Sequence, residues 1–150
     1  MAHPVMFDED DPLLARVRDI CLALPDAKEK VSHGRPTFYT TKIFAWYGGS
    51  VKVGGAWRQH PQSVLVLLPE DERRALLDRG DTFVPGYVGP SGWIGVDLAK
   101  ADWSEIAELV EESYRATAGV RRVARLEGWR AATPCVCVLR SPAQRRRVGA

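Results

Sequence analysis

The chain has 150 residues, 45% apolar and 27% charged, which fits one folded domain with little room for a second. Its formal charge of +2 is too small to imply a partner. It contains no Asn, which excludes Asn-dependent chemistry and N-glycosylation.

The first residues lack a cationic segment followed by a long apolar one, so no signal peptide is expected. The longest strongly apolar run, Val64 to Leu68, is far short of the ~20 residues that span a bilayer. Three cysteines argue against a disulfide framework. Cys21 fits a small buried apolar group, and Cys135 and Cys137 lack the further ligands that zinc needs. The expectation is a cytoplasmic protein with no membrane partner, no cofactor and no metal.

Residues 1–10 read as a tail. Asp11 as N-cap and Pro12 at the first helical position start a helix carrying Leu13, Leu14, Val17, Ile20, Cys21 and Leu24, which Pro25 ends. Thr37 to Tyr39 and Ile43 to Tyr47 are β-branched or aromatic and predict strands with a turn near Thr40-Thr41. Gly48-Gly49 and Gly54-Gly55 read as breaks around a short strand, Val51 to Val53. Ser63 to Leu68 predicts an inner strand covered on both faces.

Pro69-Glu70-Asp71-Glu72 opens a second helix that Gly80 stops. Phe83-Val84 is a short strand, 85–92 a Gly/Pro loop and Trp93 to Leu98 a strand. Asp102 and Glu105 have capping-box spacing ahead of a stripe of Trp103, Ile106, Ala107, Val110, Tyr114 and Thr117. Gly119 caps that helix, and Val120, Val123, Ala124 and Leu126 predict one more short helix, with Arg121, Arg122 and Arg125 away from its apolar side. A single domain over 11–127 is expected, then a basic, flexible tail over 128–150. Strand runs separated by single helices predict an α+β two-layer fold, α-β(3)-α-β(2)-α, with an antiparallel sheet.

Charge is uneven. Residues 1–114 hold 12 cations and 18 acids, a net of −6, and residues 115–150 hold nine Arg and one Glu, a net of +8. Within the acidic part, Lys28, Lys30, Arg35, Lys42, Lys52 and Arg58 stand against one acid, Glu29, and are interleaved with Phe38, Tyr39, Phe44, Trp46, Tyr47 and Trp57. Cations offset phosphate charge and rings stack on bases, so this stretch is a candidate nucleic-acid surface. The same pattern also suits a half-buried sheet with aromatics in the core and cations in water.

Catalytic signatures are sparse. There is no G-x-x-x-x-G-K-[ST], no G-x-G-x-x-G and no G-x-S-x-G. His3, His33 and His60 lie far apart in sequence, and His33 has no local carboxylate to orient it. A pocket built from His33, Tyr87 and Trp93 around loop 85–92 is the enzymatic alternative.

The stretch Ala23-Leu24-Pro25-Asp26-Ala27-Lys28-Glu29-Lys30-Val31-Ser32-His33-Gly34-Arg35-Pro36-Thr37-Phe38 resembles the signature of the MmcQ/YjbR-like family. The resemblance continues through Lys42 to Trp46, Phe83 to Trp93 and Asp102 to Tyr114, and spans about residues 12–126. It implies a small α+β fold similar to secretion-chaperone-like and frataxin-like folds. It also implies a role in DNA binding through a double-wing motif, which the six cations would serve, with DNA or another polyanion as partner and a monomer or homodimer as the assembly. By fold analogy the alternative is a protein-interaction or chaperone-like module. Formyltransferase names given to some family members do not suit this chain, which lacks Asn and a parallel nucleotide-binding pattern. Where the family is basic after its last helix, this chain reads Ala118-Gly119-Val120-Arg121-Arg122.

Overall fold

The Asp11 carboxylate accepts a hydrogen bond from the Leu13 N–H at 2.9 Å, and Pro12 begins α1 (Pro12–Leu22). The cap satisfies a donor that has no partner inside the helix, and the proline ring is already set at helical φ. The protein is seen here in a computed structural model that describes residues 4–86 and 88–132. His3, Tyr87, Cys135, Cys137 and the terminal arginine run lie outside the described residues.

After α1 come β1 (Lys28–Ser32), β2 (Arg35–Tyr39), β3 (Ile43–Val53) and β4 (Ala56–Leu67). Then follow α2 (Glu70–Leu77), β5 (Thr82–Phe83), a 3-10 turn at Gly89–Ser91, β6 (Trp93–Asp97), α3 (Trp103–Thr117) and α4 (Val120–Ala132). The six strands form one antiparallel sheet in the order β1-β2-β3-β4-β6-β5. This is the expected α+β fold, with four strands rather than three in its first group.

The extra strand is β1. Lys-Glu-Lys-Val-Ser alternates poorly because it sits at the sheet edge, where charged side chains discourage pairing with another chain. His33 and Gly34 join it to β2 with φ of 52° and 78°, a two-residue turn whose twist matches the strands. The Gly48-Gly49 pair does not end β3 as expected. It holds a bulge, with Tyr47 opposite Val64 and Gly49 opposite His60, and the strand continues to Val53. Beyond the bulge, β3 and β4 form a hairpin that turns at Gly54-Gly55, and residues 52–59 are all exposed.

Register fixes which face meets the helices. Phe38 pairs with Ala45, Ala45 with Val66, Tyr47 with Val64, Val66 with Ile94 and Val64 with Val96. All are buried in one core with Leu14, Val17 and Cys21 of α1, Ile106, Val110 and Tyr114 of α3, and Leu126 of α4. Each buried Val, Leu, Ile or Phe among them contributes about 1.5–3 kcal/mol on leaving water. Phe44 meets Tyr114 edge to face at 5.3 Å.

Two expectations at the helix ends change. Asp102 caps α3 through the Ser104 N–H at 2.9 Å, but Glu105 accepts from Arg79 at 2.7 Å rather than closing a capping box. The last helix passes Gly128 and runs to Ala132. Arg122 and Arg125 both reach Asp26 in the turn before β1, at 3.1 and 2.8 Å, which ties α4 to the helix layer. No helix among the described residues is long and apolar enough to cross a membrane.

Candidate nucleic-acid interface

The outer face of the sheet is built by alternation. Glu29 bonds Arg18 of α1 at 2.9 Å and lies opposite the core residue Phe38, so Lys28 and Lys30 point to the other face. Lys28 lies opposite Tyr39, Lys30 opposite Thr37, and Thr37 opposite Trp46. The Lys30 ammonium sits 4.6 Å from the centre of the Tyr39 ring, a cation–π contact that leaves its charge near solvent. His33 lies over Trp46, ring centres 6.1 Å apart and 11° between planes.

The other predicted cations are placed differently. Lys42 is exposed in the turn between β2 and β3. Lys52 lies opposite Trp57 and Arg58 opposite Val51, in successive rungs, so Lys52 and Arg58 occupy opposite faces of the projecting hairpin. Trp57 is 43% exposed, and Val53, Ala56, Trp57 and Arg58 line a shallow concavity of about 450 Å³.

Arg35 departs from the expected exposed cluster: it is only 7% exposed. Its Nη2 donates to Gln59 Oε1, and Nη1 lies 2.3 Å from where a Cβ on Gly48 would stand. Burial lowers its pKa, because the charged form loses hydration.

Among the described residues, none of Lys28, Lys30, Arg35, Lys42, Lys52 and Arg58 forms an ion pair. Arginines elsewhere do: Arg18 meets Glu9 and Glu29, Arg79 meets Asp81 and Glu105, and Arg115 meets Glu111 and Glu127. The reason is in the chain: no Asp or Glu occurs between Glu29 and Glu70. The sheet strands β2 to β4 are therefore cationic and carboxylate-free, and the acids gather elsewhere.

The predicted pocket is not assembled by its described members. His33 stacks on β3, whereas Trp93 is half-buried on β6, opposite Leu67, with β4 between those strands. Tyr87 lies outside the described residues. A pairing that spacing could not reveal joins His60 of β4 to Asp97 of β6, Nδ1 to Oδ1 at 3.0 Å. The two residues are 37 positions apart, and only the strand pairing brings them together. His60 also stacks on Phe83, ring centres 3.9 Å apart. Among the described residues no group of three His, Cys, Asp or Glu could hold a metal ion.

A family model described as YjbR matches residues 22–116, well over half of the chain. The chain belongs to the YjbR family. The match runs from the last residue of α1 to the penultimate residue of α3, so the whole sheet of this YjbR chain lies inside it. No curated protein and no solved structure matches the chain.

Proposed function

We propose that this YjbR-family protein binds nucleic acid with the outer sheet face and the projecting β3–β4 hairpin. The observation that carries the reading is that, among the described residues, Lys28, Lys30, Lys42, Lys52 and Arg58 enter no ion pair, and that no acid occurs between Glu29 and Glu70. A cation with no acid beside it is free to replace condensed counterions on a phosphate backbone, and release of those ions drives binding.

The placement of Lys52 and Arg58 supports a duplex. A two-stranded ribbon fits the major groove, and cations on its two faces then lie toward the two flanking backbones. Trp57, exposed near the hairpin tip, adds a ring that can pack on sugar or base. Lys28, Lys30 and Lys42 extend the cationic surface toward the β1 edge. Few base-directed polar groups accompany them, so the expected mode is positioning on phosphate with little sequence preference.

The test is a salt titration of binding to a duplex of about one to two turns, read by anisotropy. With five phosphate contacts the slope of log K against log salt should lie near −4.5, since each contributes about −0.9. The Lys52→Ala/Arg58→Ala double variant should flatten that slope by about 2, and Lys100→Ala should leave it unchanged. Absence of binding at about 50 mM salt, or a slope indifferent to the hairpin variant, removes the proposal.

A further inference from the structure

We propose that Arg35 is the anchor of a second, deeper site at the base of the β3–β4 hairpin, on the same sheet face as the proposed nucleic-acid surface, which binds the oxyanion group of a small ligand, a carboxylate or a phosphate. At 7% exposure it is too deep for the backbone of a rigid duplex, which needs cations that project. A guanidinium offers five N–H donors in a planar fork. Among the described residues one neutral amide, Gln59, is its side-chain hydrogen-bond partner, and no carboxylate pairs with it.

Burial of a cation without a counter-charge is costly, and folded proteins normally pair such a group. The sealed polar side-chain atoms that lack a partner among the described residues are Thr40 Oγ1, Trp46 Nε1 and Arg73 Nε. Arg35 itself keeps 7% of its surface exposed, the opening by which a small anion would reach the fork.

The surroundings suit that role. Gly48, against Nη1, presents no side chain, so the fork is walled by backbone. Gln59 is itself exposed and sits on a hairpin strand, where its amide can turn aside for an incoming oxyanion. Two parallel N–H···O bonds from one guanidinium then fix a carboxylate or phosphate, a geometry that chloride cannot use.

The experiment compares the thermal midpoint of the full chain in acetate, inorganic phosphate and chloride at matched ionic strength. Acetate or phosphate should raise Tm by about 3 °C over chloride at roughly tenfold excess over Kd. The arm that responds tells which oxyanion the site takes. Gln59→Glu supplies a carboxylate from within the chain, so it should abolish the response while leaving the protein folded; Arg35→Gln should abolish it as well. Because Arg35→Gln can weaken the fold, the wild-type Arg35 Nε–H resonance is followed in the same titrations, and it should shift in the responding salt. Equal Tm in all three salts with an unmoved resonance overturns the proposal, and so does an undiminished response in Gln59→Glu. Lys28→Ala, on the β1 edge and away from Gln59, should weaken oligonucleotide binding while keeping the small-anion response, so loss of that response and loss of the nucleic-acid reading are separately visible.

Discussion

The Phe83 ring fills the space over Gly95, where a Cβ would stand 2.2 Å from its Cζ. The two residues face each other across the β5–β6 pairing, and the same ring also limits Gly49 on β3, whose Cβ would lie 3.2 Å away. Gly95→Ala should therefore cost about 1–3 kcal/mol by forcing the ring off its place. Phe83→Ala, which empties a buried position, should cost about 3 kcal/mol or more. In the double variant the new methyl group meets no ring, so the losses should fall short of their sum by about 1 kcal/mol or more. Urea unfolding of the four proteins measures this, and additive losses would show that the ring does not constrain position 95.

Ser113 is a polar residue inside the core, fully buried on α3. Its hydroxyl donates to the Phe44 carbonyl of β3 and accepts from the Leu67 N–H of β4 at 2.8 Å. One side chain thus satisfies main-chain groups on two strands just where their pairing ends. Ser113→Ala leaves a buried carbonyl and a buried N–H without partners and should cost about 2 kcal/mol. Hydrogen exchange at Leu67 should speed up in the same variant, and unchanged exchange would mean that the amide has another acceptor.

Much of this architecture can be read along the chain, and the reasons for the rest are physical. Asp11-Pro12 and Asp102 mark helix starts because capping is local chemistry, settled within three residues. Ser63 to Leu67 reads as an inner strand because both its faces are covered. Lys28–Ser32 does not read as a strand, since an edge strand carries the charges that a buried one excludes. Gly48-Gly49 looks like a break because a bulge and a chain end use the same residue type. The His60–Asp97 pair and the burial of Arg35 depend on strand pairing across long stretches of chain, which composition does not encode.

Gly48 has φ of +85° and its open side is taken by Arg35 Nη1. Gly48→Ala meets two penalties, a left-handed backbone that costs a side chain about 1–2 kcal/mol and a methyl group in the space of the guanidinium. A total loss of about 2–3 kcal/mol in urea unfolding is expected. Combining it with Arg35→Met, which retains much of the stem, should relieve the steric part alone, leaving the backbone penalty. Full rescue would mean that the conformation at 48 carries no strain.

Asp26 links the turn before β1 to α4, accepting from Arg122 Nε and Arg125 Nη1. These two guanidinium groups, Arg122 first, hold its carboxyl below the ordinary value of 3.8. Since the folded value is the lower one, the contribution is complete above the unfolded pKa and is lost as pH falls below about 4, through the folded value. Protection of the α4 amides should thus decline selectively on acidification. It should also weaken with added salt, since the pairs are at the surface. Asp26→Asn keeps a side chain suited to φ of 62° and removes the charge. Its α4 protection at pH 6 should already be lower, by roughly threefold, and should not respond further to acid through this group. If wild type and Asp26→Asn lose α4 protection in parallel between pH 6 and pH 3, the docking of this helix depends on the apolar contact of Leu126 and not on Asp26.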